Sequence, residues 1–192
     1  MTLHADATRT LDAWLAPTGE QESLRLRYLE HLGHHPDALQ RSCHPDHLTA
    51  SSLVFSHDRA RVLLTLHKKL GRWLQTGGHC EDSDTSLAAA ALREGIEETG
   101  IADLTIDPRP VLLSRHELPC GPIAPAHHLD VQFVALAPAD AAATMSDEST
   151  DLQWFEIDAL PTDTDDSVRA LVSACATRLQ EIREHAPSSD SD

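Results

Sequence analysis

The stretch that decides the fold runs from residue 77 to residue 101 and reads GGHCEDSDTSLAAAALREGIEETGI. A glycine pair opens it, a polar loop follows, and the alanine-rich segment Ser86–Thr99 has the composition of a helix. Gly100 stands just past the end of that segment, where a helix ends most easily because glycine adopts the left-handed conformation at low cost. The stretch therefore predicts a loop and one helix with a sharp end.

The predicted helix carries three glutamates on one face. Because residues advance by about 100° around a helix, Glu94, Glu97 and Glu98 fall within an arc of roughly 100°. Like charges at these spacings destabilise a helix, and a hard divalent cation such as Mg²⁺ would relieve the repulsion. Arg93 precedes Glu97 by four residues and can pair with it. The apolar residues expected to pack the opposite side of the helix on a sheet are Leu87, Ala91, Leu92 and Ile96. An ordinary solvated acidic turn is the competing interpretation of the glutamates taken alone.

Apolar runs on both sides of this stretch predict strands and further helices. Residues 48–56 and 61–67 flank a short turn and predict a hairpin. Strand-like runs recur at 110–114, 129–136 and 152–157. Residues 8–33 predict two short helices, and 166–185 has the apolar spacing of an amphipathic helix. We therefore predict an N-terminal helical extension over 1–47, one mixed α/β domain over 48–185 and a polar tail over 186–192.

Charge and composition exclude several classes of partner. The 192 residues include 31 acidic and 15 basic side chains, a formal net charge of −16, which argues against long nucleic acids and anionic membranes. No apolar run approaches 18 residues, and the first residues lack the pattern of a secretory signal. Four cysteines without a CxxC pair predict free thiols in a reducing compartment. We expect a cytoplasmic protein without a membrane or long nucleic-acid partner.

The stretch 77–101 resembles the signature of the Nudix hydrolases: a glycine, five residues, Glu, seven residues, then Arg-Glu-apolar-x-Glu-Glu-x-Gly-apolar. The positions that match its second half in register are Arg93, Glu94, Glu97, Glu98, Gly100 and Ile101. Counted from Gly78, Asp84 stands in place of the usual Glu, and eight residues separate it from Arg93, so one residue is inserted. Gly95 and Thr76 also depart from the usual pattern. The resemblance covers roughly residues 48–185 and implies a Nudix-like α/β/α sandwich with a mixed sheet.

The resemblance implies hydrolysis of a pyrophosphate bond in a nucleoside diphosphate linked to another group, of the nucleoside triphosphate or nucleotide-sugar type. Mg²⁺ or Mn²⁺ would activate water for attack on phosphorus. By carry-over onto matching positions, Glu97 and Glu98 are expected metal ligands, and Glu94 is expected as a ligand or as the base. Glu81 and the carbonyl of Gly77 are further expected metal ligands.

Two more catalytic roles are expected from side chains around this set. Arg93 would hold a carboxylate in place. A carboxylate from a later loop would serve as ligand or general base, and Glu148 is preferred over its neighbour Asp147 and over Glu117. A solvated acidic loop is the competing interpretation of residues 147–148.

Substrate contacts are expected from basic, aromatic and histidine side chains near the signature. Five of the fifteen basic residues lie between residues 59 and 72, which indicates phosphate binding or a solvated hairpin edge. The expected contacts are Arg61, Lys69, Arg72, Trp73, His79 and His128. Trp73 would stack a base unless it belongs to the core, and the two histidines would contact substrate unless they are local hydrogen-bond partners. The expected partner is a nucleotide-type small molecule, with a homodimer left open.

Several alternatives stay open on the residues alone. The dinucleoside-polyphosphate hydrolases carry a tyrosine after the signature, whereas the one tyrosine here is Tyr28, so that substrate class is disfavoured. His116 stands where ADP-ribose hydrolases typically have a proline, and Pro119 lies only nearby. This position therefore neither favours nor disfavours ADP-ribose as the substrate. No arrangement matches the related prenyl-diphosphate isomerases. The alternative function is a non-catalytic nucleotide-sensing module on the same fold, although the three retained glutamates favour an enzyme.

Overall fold

The computed structural model describes residues 1–118, 125–146 and 149–185. Within these ranges the helices are α1 (Leu3–Ala13), α2 (Gly19–His34), α3 (Leu87–Thr99) and α4 (Asp166–His185). The strands are β1 (Asp46–Phe55), β2 (Arg61–His67), β3 (Trp73–Leu74), β4 (Thr76–His79), β5 (Thr105–Ile106), β6 (Leu112–Leu118), β7 (Ala126–Leu136) and β8 (Ser149–Glu156). The predicted hairpin, the predicted helix within the stretch 77–101 and the C-terminal helix are all present, and α1 begins five residues earlier than the sequence indicated.

The strands form one mixed sheet around β1. Its path is β3-β2-β1-β7-β5, with β4 also paired to β1, β6 to β7 and β8 to β2. β1 and β7 run parallel over their length, from Asp46 opposite His127 to Phe55 opposite Leu136, while the other named pairs are antiparallel. β4 therefore lies beside one edge of β1 and β7 beside the other, which brings three strands of very different sequence position together.

Helices cover both faces of this sheet, as the predicted α/β/α sandwich requires. On one face, Leu48 and Ala50 of β1 pack in a cluster with Leu87 and Ala91 of α3, and the same cluster contains buried residues of α1 and α2. On the other face, Leu53 and Phe55 pack against α4. This division follows from strand geometry, because successive side chains of a strand point to opposite faces.

The N-terminal helices share the core of the domain. Leu11 of α1 and Tyr28 of α2 are fully buried, and the hydroxyl of Tyr28 donates a 2.8 Å hydrogen bond to the carbonyl of Ser114 on β6. Burying two such side chains stabilises the fold by about 1.5–3 kcal/mol each. The division of the chain at residue 47 stays a prediction.

Two departures from the usual signature have a packing reason. A Cβ atom at Gly95 would lie 3.0 Å from Oγ of Ser52 and 3.3 Å from Cδ1 of Leu104, so glycine lets α3 approach β1 closely. Thr76 is fully buried and donates from its hydroxyl to the carbonyl of Ser52 at 2.8 Å. Glycine costs about 1 kcal/mol within a helix relative to alanine, and here the close approach of helix and sheet offsets that cost.

None of the helices within the described ranges has the length and apolar character needed to cross a bilayer.

Candidate active site

Helix α3 is fixed at both ends by hydrogen bonds, and Gly100 ends it as the sequence predicted. Ser86 precedes it, and its hydroxyl accepts a 3.0 Å hydrogen bond from the backbone N–H of Ala89. Gly100 follows it with φ 68°, a left-handed conformation that suits glycine, and donates to the carbonyl of Ile96 at 2.8 Å. The predicted mounting is confirmed, since the apolar side of α3 packs on two core clusters. The glutamates are thus carried on a helix whose ends and axis are well defined.

Arg93 connects the loop to the helix. Its Nε and Nη2 donate to the two carboxylate oxygens of Asp84, each at 3.1 Å, and Nη2 also donates to the carbonyl of His79 at 2.9 Å. Nη1 donates to Glu94 at 3.0 Å and to Glu97 at 3.1 Å, which confirms the predicted pairing with Glu97. The hydrogen bonds to Asp84, and secondarily to Glu94, raise the pKa of Arg93 above its ordinary value. One guanidinium therefore holds two of the three glutamates.

Asp84 explains how the inserted residue is accommodated. Its side chain is only 5% exposed, and besides binding Arg93 it accepts a 2.8 Å hydrogen bond from the backbone N–H of Glu81. A planar, two-point pairing of this kind fixes orientation as well as distance. Asp84, which is shorter than the usual glutamate, therefore ties the loop to Arg93. The inserted residue does not change the spacing of Glu94, Glu97 and Glu98 along α3.

The glycine pair lies directly against the carboxylates of Glu94 and Glu98. The backbone N–H of Gly77 donates to Oε1 of Glu98 at 2.8 Å. A Cβ atom built on Gly78 would fall 2.7 Å from the carboxylate atoms of Glu94, and one on Gly77 would fall 2.3 Å from Cβ of Ser51. Glycine is thus required at 77 by the backbone of β1, whereas at 78 any larger residue would displace the carboxylate of Glu94.

The two remaining expected metal ligands, Glu97 and Glu81, have exposed side chains. The side chains of Glu97 and Glu81 are 55% and 60% exposed, and Glu81 lies 3.9 Å from Arg93. Glu98 and Glu94 contact the glycine pair. The four expected glutamate ligands therefore lie around the loop and the helix. Glu148 and Asp147 lie outside the described residues, as does the polar tail 186–192.

The basic residues expected to bind phosphate are not brought together. Arg61 begins β2, where its guanidinium lies 5.8 Å from the ring centroid of Trp154. Lys69 and Arg72 lie in the exposed turn beyond the other end of β2. A seven-residue strand separates the two ends by roughly 20 Å. One phosphate group cannot therefore contact all three side chains in this arrangement.

Trp73 is placed in the core. It is 7% exposed, and its ring packs edge-on against Phe155 with centroids 4.8 Å apart. This packing does not favour the expected stacking on a base. The core alternative left open by the sequence accounts for its position.

His79 and His128 are brought together, along with a residue that the sequence reasoning missed. Ring centroids of these two and of His47 lie 4.9–5.0 Å apart in all three pairings. The signal for His47 was available, because polar His47, Thr49 and Ser51 alternate with apolar residues on β1. That alternation indicates a polar face opposite α3, although it does not indicate which other strands supply its neighbours.

Comparison with known proteins agrees with this geometry. The model of the NUDIX domain matches residues 45–174, and the chain belongs to this family. The predicted class, a Nudix-type pyrophosphohydrolase with the Nudix α/β/α fold, is thereby confirmed. A search of curated proteins finds no significant match.

Solved structures resemble the chain in fold at low sequence identity. An Ap4A hydrolase of C. elegans is 18% identical with a TM-score of 0.59, covering 70% of this chain and 98% of its own. The E. coli dihydroneopterin triphosphate pyrophosphohydrolase is 18% identical with a TM-score of 0.58, covering 68% and 95%. The NUDIX domain of Shewanella oneidensis NrtR, complexed with ADP ribose, is 20% identical with a TM-score of 0.53, covering 78% and 97%.

Proposed function

We propose that the protein hydrolyses a pyrophosphate bond in a nucleoside diphosphate linked to another group, with Mg²⁺ or Mn²⁺ as cofactor. The observation that carries the proposal is the clustering of carboxylates around Arg93 and the glycine pair, where Glu98 meets Gly77 and Glu94 lies over Gly78. Neighbouring structures include an enzyme for a dinucleoside polyphosphate, an enzyme for a pterin triphosphate and a domain bound to ADP ribose. The molecules named with these three proteins share one chemical feature, a phosphoanhydride of a nucleotide-like group.

The donor chemistry of the site fits a hard divalent cation. Glu94, Glu97 and Glu98 would supply carboxylate oxygens, with the carbonyl of Gly77 and Glu81 as further oxygen donors. When bound, the cation supplies a lower pKa for a water molecule and neutralises charge that develops on the phosphoryl group. Glu94 is also a candidate for the general base, and Glu148 stays a candidate for the same role.

The protein's own residues position these groups. Arg93 keeps Glu94 and Glu97 on one side of the loop, while Asp84 holds Arg93 in a two-point pairing. The N–H of Gly77 fixes one oxygen of Glu98. Because these contacts exist before substrate binds, little reorganisation is left for the reaction itself. Lys69 and Arg72 at the exposed turn stay candidates for contact with the phosphates, and Arg61 would have to act elsewhere on the substrate.

The proposal is tested with a substrate panel. Nucleoside triphosphates, nucleoside diphosphate sugars including ADP-ribose, and dinucleoside polyphosphates are incubated with the full chain and Mg²⁺ or Mn²⁺, and phosphate release is measured with and without added phosphatase. We expect turnover of at least one member, a loss of about 100-fold or more in Glu98→Gln, and no change in Glu30→Gln, an exposed control on α2.

Two outcomes separate the proposal from the sensing alternative. If no panel member turns over faster with the wild-type chain than with Glu98→Gln, the hydrolase proposal fails. If, in that case, a member of the panel binds tightly without being hydrolysed, the non-catalytic sensing function replaces the hydrolase proposal. The number of subunits, for which a homodimer is expected, and the reducing, cytoplasmic compartment stay predictions that this experiment does not address.

A further inference from the structure

Three imidazole rings from three adjacent strands meet on the face of the sheet opposite α3. His47 lies on β1, opposite His128 on β7, and Thr49, two residues beyond His47, lies opposite His79 on β4. Because residues two apart share a face of a strand, the three side chains point to the same side of the sheet. One ring nitrogen of each lies within 4.8 Å of the other two. We refer to His47, His79 and His128 as the histidine cluster.

The cluster contains buried nitrogens without a hydrogen-bond partner. His47 is fully buried, and its Nδ1 lies 3.2 Å from the carbonyl of Cys43. Since a carbonyl only accepts, Nδ1 carries the proton and Nε2 presents a lone pair. Across the described part of the chain, Nε2 of His47 and Nε2 of His128 are buried atoms with no hydrogen-bond partner. Such a group costs about 1–3 kcal/mol when it is left unsatisfied, so it calls for a ligand.

The rings are neutral under ordinary conditions, which is the form that binds metal ions. Burial, together with the neighbouring histidines, lowers the pKa of His128 to about 3. Burial also lowers the pKa of His47. No proton therefore has to be displaced from these nitrogens near pH 7.

We propose that His47, His79 and His128 form a second metal site, which takes an imidazole-preferring divalent cation such as Zn²⁺. Imidazole nitrogen suits zinc and neighbouring transition metals, whereas the carboxylates of α3 suit Mg²⁺. Zinc–nitrogen bonds of about 2.1 Å in a tetrahedron place ligand nitrogens about 3.4 Å apart. The ring nitrogens lie within 4.8 Å of one another, so each would have to move toward the ion by about an ångström or less. Three protein ligands leave a fourth position for a small ligand.

Groups that lie next to the three rings support this assignment. The contact of Nδ1 of His47 with a backbone carbonyl is the arrangement that orients a metal-binding histidine and selects its tautomer. A buried carboxylate, Asp130, lies on the same face of β7 two residues beyond His128, and its described partners, Thr49, Ser51 and Gln132, are all neutral donors. A cation on this face would meet a buried negative charge.

The site would tie the catalytic loop to the sheet. His79 directly follows the glycine pair, and its carbonyl accepts from Arg93 at 2.9 Å. A cation on the ring of His79 would join β4 to β1 and β7, and so hold the carbonyl that Arg93 contacts. Binding only to the folded chain would raise the melting temperature in proportion to the logarithm of metal concentration.

The test uses full-length protein without an affinity tag, stripped by chelator and held in excess Mg²⁺ so that the carboxylate site is filled. Co²⁺ serves as the spectroscopic probe and Zn²⁺ as its competitor. We expect one equivalent of Co²⁺ with the intense visible bands of a low-coordinate nitrogen site, displaced by one equivalent of Zn²⁺. X-ray absorption of the Zn²⁺ form of the wild-type protein should show a nitrogen-rich shell with imidazole scattering.

Variants assign the binding to the cluster. His79→Gln and His128→Gln should weaken Co²⁺ binding by at least the roughly 10–100-fold that loss of a supporting partner costs at metal sites. His57→Gln, in the exposed turn between β1 and β2, and Glu98→Gln should change it less than about twofold. Cys43→Ser probes a second group, since ligand atoms of His35, Asp37 and Cys43 also lie within 4.8 Å of one another.

Three results would overturn the proposal. One is the absence of stoichiometric Co²⁺ or Zn²⁺ binding in excess Mg²⁺. Another is binding that persists in both histidine variants. The third is binding that is lost in Cys43→Ser, together with sulfur ligands in the X-ray absorption spectrum of the wild-type protein. The wild-type spectrum decides the question even if a histidine variant does not fold.

Discussion

Gly78→Ala should impair catalysis while leaving the fold intact. The new Cβ would lie 2.7 Å from the carboxylate of Glu94, so this carboxylate must move by at least about 0.7 Å to reach an ordinary contact of 3.4 Å. The obstructing atoms are the end of a flexible side chain, and the backbone of Gly78 is in a region that alanine also adopts. The displacement therefore falls on a proposed catalytic group and not on the backbone.

The expected magnitude follows from that displacement. Misplacing a reacting group by 1 Å costs about 100-fold in rate, so we expect kcat to fall by roughly 10- to 100-fold, about 1.4–2.7 kcal/mol of barrier. The free energy of unfolding should stay within about 1 kcal/mol of wild type, because alanine also restricts the unfolded chain. Affinity for Mn²⁺, measured by titration, should fall together with kcat.

Gly33→Ala is the matched control. Gly33 lies exposed near the end of α2, and a Cβ there would meet nothing within 4 Å. Steady-state rates on the best substrate of the panel and urea unfolding are measured for both variants. If Gly78→Ala matches Gly33→Ala in kcat and in Mn²⁺ affinity, the position of Glu94 over Gly78 is not required for catalysis. A loss of unfolding free energy above about 2 kcal/mol would instead mean that the loop backbone had been disturbed.

Three further predictions concern Arg93, the buried histidines and the helix cap. Arg93→Lys should lower kcat at least about tenfold and unfolding free energy by about 1–3 kcal/mol, because an ammonium cannot make the two-point contact with Asp84. In metal-free protein, the stability measured by urea unfolding should fall as pH drops below about 6.5, because His128 (pKa about 3) and His47 (pKa lowered) are neutral when folded but protonated when unfolded. Each such histidine contributes up to about 1.4 kcal/mol per pH unit, and the contribution is fully present above pH 6.5. Ser86→Ala should cost about 1 kcal/mol of unfolding free energy by removing the cap of α3.

Each of these has a control in the same chain. Arg25→Lys removes a similar two-point pairing, with Glu22, on the surface of α2 and should leave kcat unchanged. A pH dependence that survives in His128→Gln at full amplitude would argue against the histidine explanation. Ser86→Thr keeps a capping hydroxyl, so it should retain most of the stability that Ser86→Ala loses.

Local sequence was sufficient for the helix that carries the candidate catalytic residues. Ser86 and Gly100 mark its ends through their own hydrogen bonds, and spacing alone places Glu94, Glu97 and Glu98 on one face. The hairpin was equally predictable, since apolar runs flank a short turn. These features depend on contacts between residues within a few positions of each other, which a pattern in the sequence records directly.

Other parts of the site depended on how distant segments pack. The need for glycine at 95 follows only from the close approach of Ser52. The role of Asp84 follows only from its pairing with Arg93, which lies beyond the inserted residue. The basic residues 61, 69 and 72 are close in sequence, yet the length of β2 separates Arg61 from the other two. Trp73 belongs to the core because β3 turns it toward Phe155.

The sequence by itself determined the Nudix signature, the carboxylate face of α3 and the acidic balance that argues against long nucleic acids. Only the tertiary structure decided that His47, His79 and His128 meet, that Glu98 reaches Gly77, and that Glu94 lies over Gly78. The physical reason is the sheet, because parallel pairing of β1 with β7 and antiparallel pairing of β1 with β4 join residues that lie far apart in the sequence. Periodicity places a side chain on a face, whereas strand pairing chooses its neighbours.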